Sequence, residues 1–150
     1  MKRLTIYIIV LIVTATVEVK AQILNPVHWS YAAKKLNKNK AIIFIKATID
    51  DNWHIYSINQ KDGGPIKTSF DFDKSKFYEL AGSVAEPKPL TRFEKTFKMD
   101  VNYFEKAVIF KQSIKLKATS TTVKGKVSFM TCNDQKCLPP DEVEFTIPIK

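Results

Sequence analysis

The sequence predicts an all-β fold, a β-sandwich of two antiparallel sheets, and three observations support this prediction. Short segments rich in Val, Ile, Thr and Phe alternate apolar with polar residues, which is the period of strands buried on one face. Clusters of Gly, Pro, Asn and Asp separate these segments at intervals of about ten residues. The chain is 45% apolar and 11% aromatic, which is enough for a core. We therefore expect about seven or eight strands in two layers.

Each segment shows a strand pattern of its own. Residues 29–40 could form a short helix by propensity, but the polar residues 37–40 suit a hairpin turn better than a helix end, so we predict a strand. Residues 41–49 are rich in β-branched side chains and long enough for a core strand. The remaining predicted strands are 53–58, 67–72, 107–116, 124–130 and 143–149.

The first residues have the composition of a secretory signal. A positively charged start precedes the uncharged stretch 4–17, which is shorter than the ~20 residues that span a bilayer. Side chains typical of the −3 and −1 positions of a cleavage site then precede Gln22. We expect residues 1–21 to be a signal peptide and 22–150 to form one domain. An uncleaved anchor and a first strand are the alternatives.

Composition excludes several classes of protein. The net charge is +9, but the lysines are scattered along the strands, which indicates a solvated basic surface and no nucleic-acid groove. The sequence has no phosphate-binding loop and no serine in a nucleophile-elbow motif. It also lacks an apolar run long enough for a polytopic membrane protein. We predict no nucleic-acid partner and no small-molecule cofactor.

The two cysteines are the residues best suited to chemistry. Cys132 and Cys137 follow a predicted strand and precede a double proline, and export would place them where disulfides persist. A disulfide closing so small a loop stabilises a protein by only ~2 kcal/mol, against almost 5 for a loop of ~100 residues. A redox pair is therefore favoured, and a structural disulfide remains the alternative. Lys136 would favour the thiolate and Asp134 would oppose it.

A metal site is the weakest interpretation of these cysteines. Zinc needs four ligands, or three and a water. The chain offers only His28 and His54 besides the two thiols, and neither shows ligand spacing. We predict no metal.

Four features together resemble a known family. They are the secretory start, Trp-His-Ile-Tyr-Ser at 53–57, Gly-Gly-Pro at 63–65, and the segment Cys-x4-Cys-Leu-Pro-Pro that begins at Cys132. The similarity covers about residues 26–149, and the family is the N-terminal periplasmic domain of the thiol:disulfide interchange protein DsbD, in a stand-alone secreted form. The resemblance implies an immunoglobulin-like β-sandwich in the periplasm. It also implies that a membrane-embedded thiol reductant reduces the domain, which then reduces exported thioredoxin-like proteins of the disulfide isomerase or cytochrome c maturation type.

The resemblance also implies roles for individual residues. Cys132 and Cys137 would be the catalytic pair, with Cys137 forming the mixed disulfide and Cys132 resolving it. His54 and Tyr56 would line the pair from one strand. A cap loop within 89–97 would shield the disulfide with an aromatic ring, Phe97 in first place and Phe93 in second. A sandwich-core position is the alternative for both rings. The best-known members space their cysteines one residue further apart.

Two functions of different classes follow from the sequence. The first is thiol–disulfide exchange, the activity of a protein-disulfide reductase, with no cofactor beyond the cysteines. The second is a non-catalytic immunoglobulin-like binding module with a structural disulfide. A periplasmic chaperone that offers sheet edges to client strands is a weaker third.

Overall fold

A computed structural model describes residues 24–150, so the predicted signal peptide lies outside the described residues. All regular structure in this part of the chain is β, and no helix within it could cross a bilayer. The eleven strands are β1 Val27–Asn37, β2 Lys40–Ile49, β3 His54–Tyr56, β4 Ser69–Phe72, β5 Tyr78–Leu80, β6 Leu90–Glu94, β7 Met99–Glu105, β8 Ala107–Leu116, β9 Thr121–Phe129, β10 Thr131–Cys132 and β11 Asp141–Ile149.

The strands form three antiparallel sheets, in the orders β1-β2-β8-β5, β11-β9-β4 and β10-β3-β7-β6. The first two pack face to face, and aromatic side chains span the space between them. The Trp29 ring on β1 lies 5.2 Å from that of Phe129 on β9 and 6.4 Å from that of Phe70 on β4. The all-β sandwich is therefore confirmed. The third sheet is an addition to the two layers that the sequence predicted.

Strand alternation builds the core between the layers. In β8 every second side chain, from Val108 to Leu116, is buried, and the side chains between them are exposed. The same period in β2 and β11 turns one face of each strand inward. The fully buried side chains of this core include Ile43, Ile45, Ile55, Phe110, Ile114, Val123 and Val127.

Four strands were not predicted, and three of them lie in or beside the third sheet. β6 is an edge strand with mostly exposed side chains, so its sequence carries little alternation. The turn that joins it to β7 has Lys98 at a φ of 54°, and the turn after β7 has Lys106 at 64°. Gly and Asn are the usual residues at positive φ, so a turn with lysine at that position cannot be recognised from its composition. β5 and β10 are only three and two residues long.

Candidate functional site

The two cysteines are bonded to each other at the edge of the third sheet. Their Cα atoms lie 4.0 Å apart, and the chain between them closes a narrow loop. Within the loop the amide of Asn133 donates to the carbonyl of Lys136 at 2.9 Å. The Asn133 side-chain oxygen accepts from the amides of Gln135 and Lys136 at 2.9 and 2.8 Å. These bonds hold the loop in addition to the disulfide.

The two sulfurs differ in their access to solvent. Cys132 is only 2% exposed and packs with Tyr56 and Val101 in a small core cluster. Cys137 is exposed, as are the two prolines that follow Leu138. A large partner can therefore reach the disulfide from the Cys137 side alone.

β3 places two polar aromatic side chains beneath Cys132. His54 is the direct antiparallel partner of Cys132, so the two side chains lie on the same face of the sheet. Tyr56 is two residues further along β3, and its hydroxyl lies 3.1 Å from Nε2 of His54. His54 is 3% exposed and Tyr56 is fully buried. The structure thus brings both residues named from the sequence to the cysteine pair.

Arg92 on β6 completes this cluster, and the sequence analysis did not single it out. Its Nη2 lies 3.2 Å from Nε2 of His54 and donates to Glu94 at 3.1 Å, while Nη1 reaches Asp134 in the cysteine loop at 3.4 Å. Its guanidinium also lies 4.9 Å from the centre of the Tyr103 ring. Arg92 and Glu94 stand two apart on one strand, which was the available signal. Arg92 therefore joins the β6–β7 hairpin to the cysteine loop.

Hydrogen-bond chemistry fixes the protonation of His54. Arginine can only donate, so Nε2 of His54 must accept from Arg92, and the ring proton sits on Nδ1. Burial, and then the Arg92 charge, lower the pKa of His54 to about 4. Burial, and then the Glu94 carboxylate, raise the pKa of Tyr56 to about 12. Both rings are therefore neutral near pH 7.

The two candidate cap residues are placed differently from each other. Phe97 is half-buried in the turn at residues 95–98, between β6 and β7. Phe93 lies on β6 itself, 61% exposed, and strand alternation turns it away from the face on which Arg92 meets His54. Neither ring belongs to a core cluster of the described residues. Because Phe93 points away from the face that carries Arg92, Phe97 stays the first candidate for the cap.

The histidines do not assemble a metal site with the cysteines. His28 lies on the surface, where its Nε2 is 3.4 Å from a carboxylate oxygen of Asp50. Within residues 24–150 no group of three or more His, Cys, Asp or Glu side chains is arranged to hold a metal ion. What the site offers chemically is the disulfide itself.

Comparison with known proteins matches this chain to a family. The family model described as "Thiol:disulfide interchange protein DsbD, N-terminal" matches residues 20–148. No curated protein matches the chain.

Solved structures share the fold at low sequence identity. The DsbD N-terminal domain of Neisseria meningitidis in its reduced form has a TM-score of 0.56 at 17% identity, over 83% of this chain and 89% of that one. The same organism's domain in complex with the PilB N-terminal domain has a TM-score of 0.55 at 12% identity, over 83% of this chain and 87% of that one. The N-terminal periplasmic domain of ScsB from Proteus mirabilis has a TM-score of 0.60 at 14% identity, over 84% of this chain but only 47% of that one. These likenesses confirm the immunoglobulin-like β-sandwich.

Proposed function

The chain belongs to the family of DsbD N-terminal domains, and from this premise we propose that Cys132 and Cys137 pass electrons between a membrane-embedded thiol reductant and exported thioredoxin-like proteins. The observation that carries the proposal is the pair itself. One sulfur is buried against His54 and Tyr56, and the other is exposed beside two prolines. A disulfide that only stabilised the fold would have no need of one accessible sulfur.

The exchange proceeds in two steps. In the reduced domain the Cys137 thiolate attacks one sulfur of the partner's disulfide; a Cys137–partner bond forms, and the partner's other sulfur leaves as a thiolate. The Cys132 thiolate then attacks the sulfur of Cys137, which re-forms the internal disulfide and releases the second partner thiolate. The partner gains two electrons and the domain loses two. A dithiol of the membrane reductant restores the reduced state by the same steps in reverse.

The difference in burial between the two sulfurs supports these two roles. A partner must approach the attacking sulfur in line with its own disulfide, which requires open space around Cys137. Cys132 needs no such access, because it attacks a sulfur already bonded to its neighbour in the loop. The solved complex of a related DsbD domain with the PilB N-terminal domain supports docking of this kind.

We also propose that the domain works in the periplasm after residues 1–21 are removed. The Proteus mirabilis neighbour is described as a periplasmic domain, and an oxidising compartment is where a cysteine pair needs a dedicated reductant. Cytochrome c maturation factors and disulfide isomerases are the clients that the family suggests.

Trapping of the mixed disulfide tests the assignment. Cys132→Ser should accumulate a long-lived disulfide between Cys137 and a thioredoxin-like partner, because no resolving thiol remains, whereas Cys137→Ser should trap much less. Non-reducing gels measure both variants. Equal trapping by the two would refute the roles given to them.

The redox equilibrium separates exchange from a structural role. Structural disulfides of secreted proteins have potentials below about −300 mV, while thioredoxin-like partners lie above that value. The Cys132–Cys137 pair should therefore change from oxidised to reduced within the range of potentials that glutathione buffers can reach. If the pair stays oxidised in all glutathione buffers, the alternative function, a binding module with a structural disulfide, would be favoured.

A further inference from the structure

The outer face of the β1-β2-β8-β5 sheet carries a large excess of positive charge. On each strand the side chains that alternate with the core residues point to this face. Six lysines lie on it or directly beyond its strand ends, against two carboxylates, a net charge of 6 − 2 = +4. We call this surface the basic face; its charged residues are Lys34, Lys40, Lys46, Lys111, Lys115, Lys117, Glu79 and Asp50.

The outer face of the β11-β9-β4 sheet shows that such an excess does not follow from the fold. There Lys126 stands in register between Asp71 and Glu144, and its ammonium lies 3.1 Å from the Glu142 carboxylate. With Lys124, that face holds two cations and three anions. Opposite charges are interleaved on this sheet, whereas lysines outnumber carboxylates on the basic face. Residues 24–150 carry 21 basic and 14 acidic side chains, a net charge of +7, so the basic face accounts for most of it.

Two lysines of the basic face are placed directly against each other. Lys40 on β2 is the direct cross-strand partner of Lys115 on β8, an arrangement that destabilises a sheet. Glu79 is paired with Lys115 in the backbone register, but its carboxylate bonds to Lys117. Glu86 borders the face, and its carboxylate is bonded to Ser57, Ile58 and Asn59. The hydrogen bond and charge of Lys117, and then the charge of Lys115, hold the pKa of the Glu79 carboxyl below its usual range, so Glu79 offsets the Lys40–Lys115 repulsion only in part.

Apolar side chains lie among these lysines. Ile42 and Phe44 on β2 are half-buried on the outer face, and Ile109 on β8 is 42% exposed. Phe44 and Lys111 are cross-strand partners, with the ammonium 6.0 Å from the ring centre. Apolar residues within a field of lysines are typical of surfaces that bind at the boundary between lipid headgroups and acyl chains.

We propose that the basic face binds the surface of an anionic lipid bilayer. A four-stranded sheet presents a broad, shallow surface, which matches a bilayer better than a groove. Lysine ammonium groups would lie among the lipid phosphates, and Ile42, Phe44 and Ile109 would bury apolar area that a nucleic-acid backbone could not cover. The cysteine pair lies on a different sheet and would stay available to its partners. This inference goes beyond the exchange function and does not depend on it.

Vesicle binding of matched variants tests the inference. The full chain is mixed with phosphatidylcholine vesicles that do or do not contain about 30% phosphatidylglycerol, and bound protein is measured by sedimentation. Neutralising three lysines of the face, Lys40→Gln, Lys46→Gln and Lys115→Gln, should weaken binding to the anionic vesicles about a hundredfold, at about fivefold per lysine. The control variant, Lys61→Gln, Lys67→Gln and Lys88→Gln, removes the same charge elsewhere and should bind nearly as the wild type does.

Lysine footprinting decides the matter even if residues 1–21 attach the chain to vesicles by themselves. Acetylation is followed by mass spectrometry for each lysine, with and without anionic vesicles. The lysines of the basic face should be protected at least several-fold more than Lys61, Lys67 and Lys88. Uniform protection, or protection by a DNA duplex but not by vesicles, would overturn the proposal.

Discussion

Replacement of His54 should remove a specific part of the acid sensitivity of this protein. In the folded state, burial and Arg92 lower the His54 pKa from 6.5 to about 4, so between these values the unfolded chain binds a proton that the folded chain rejects. Stability therefore rises with pH through this window and is lost as the pH falls through it. The complete effect is about 3 kcal/mol, of which about 2 kcal/mol falls between pH 7 and pH 5.

The measurement is urea unfolding of the wild type and of His54→Gln at pH 7 and pH 5. Gln keeps an acceptor for Arg92 but has no proton to gain. We expect the wild type to lose about 2 kcal/mol more than the variant over this interval, because carboxylate contributions cancel in the difference. His28→Gln is the matched control, since it removes an exposed histidine and should keep the part of the loss that comes from His54. Equal losses in all three proteins would refute the environment assigned to His54.

Three further outcomes follow from the site. Arg92→Gln should raise the His54 pKa towards 6.5, measured by NMR titration, because a nearby cation disfavours the imidazolium; an unchanged pKa would mean that burial alone sets it. Phe97→Ala should speed reduction by dithiothreitol and cost less stability than Phe110→Ala, a core substitution expected to cost ~3–5 kcal/mol. If the urea midpoint of Phe97→Ala falls as far as that of Phe110→Ala, and dithiothreitol reduces the disulfide no faster, Phe97 is a core residue. Intact mass spectrometry of the exported protein should show loss of residues 1–21, and retention of Met1 would contradict the signal peptide.

The sequence by itself determined the strand-rich fold class and most of the long strands. Period-two alternation is a local property, so β8, β9 and β11 can be recognised from a few neighbouring residues, as β2 can from its β-branched side chains. It failed for the β6–β7 hairpin, where an exposed edge strand carries little alternation and lysine occupies the positive-φ turn. The cysteine pair was evident from its spacing and the prolines, and the family resemblance supplied His54 and Tyr56.

Only the tertiary structure decided which side chains meet. Arg92 lies 42 positions from Asp134 and 38 from His54 in sequence, and it contacts both because β6, β7, β3 and β10 are neighbours in one sheet. The sequence analysis interpreted the lysines as scattered, yet strand order and register place six of them on one face. Alternation shows that a side chain points outward, but it does not show on which sheet's outer surface that side chain lies. That choice depends on the pairing of distant strands, which is set by burial of the whole core and not by any local segment.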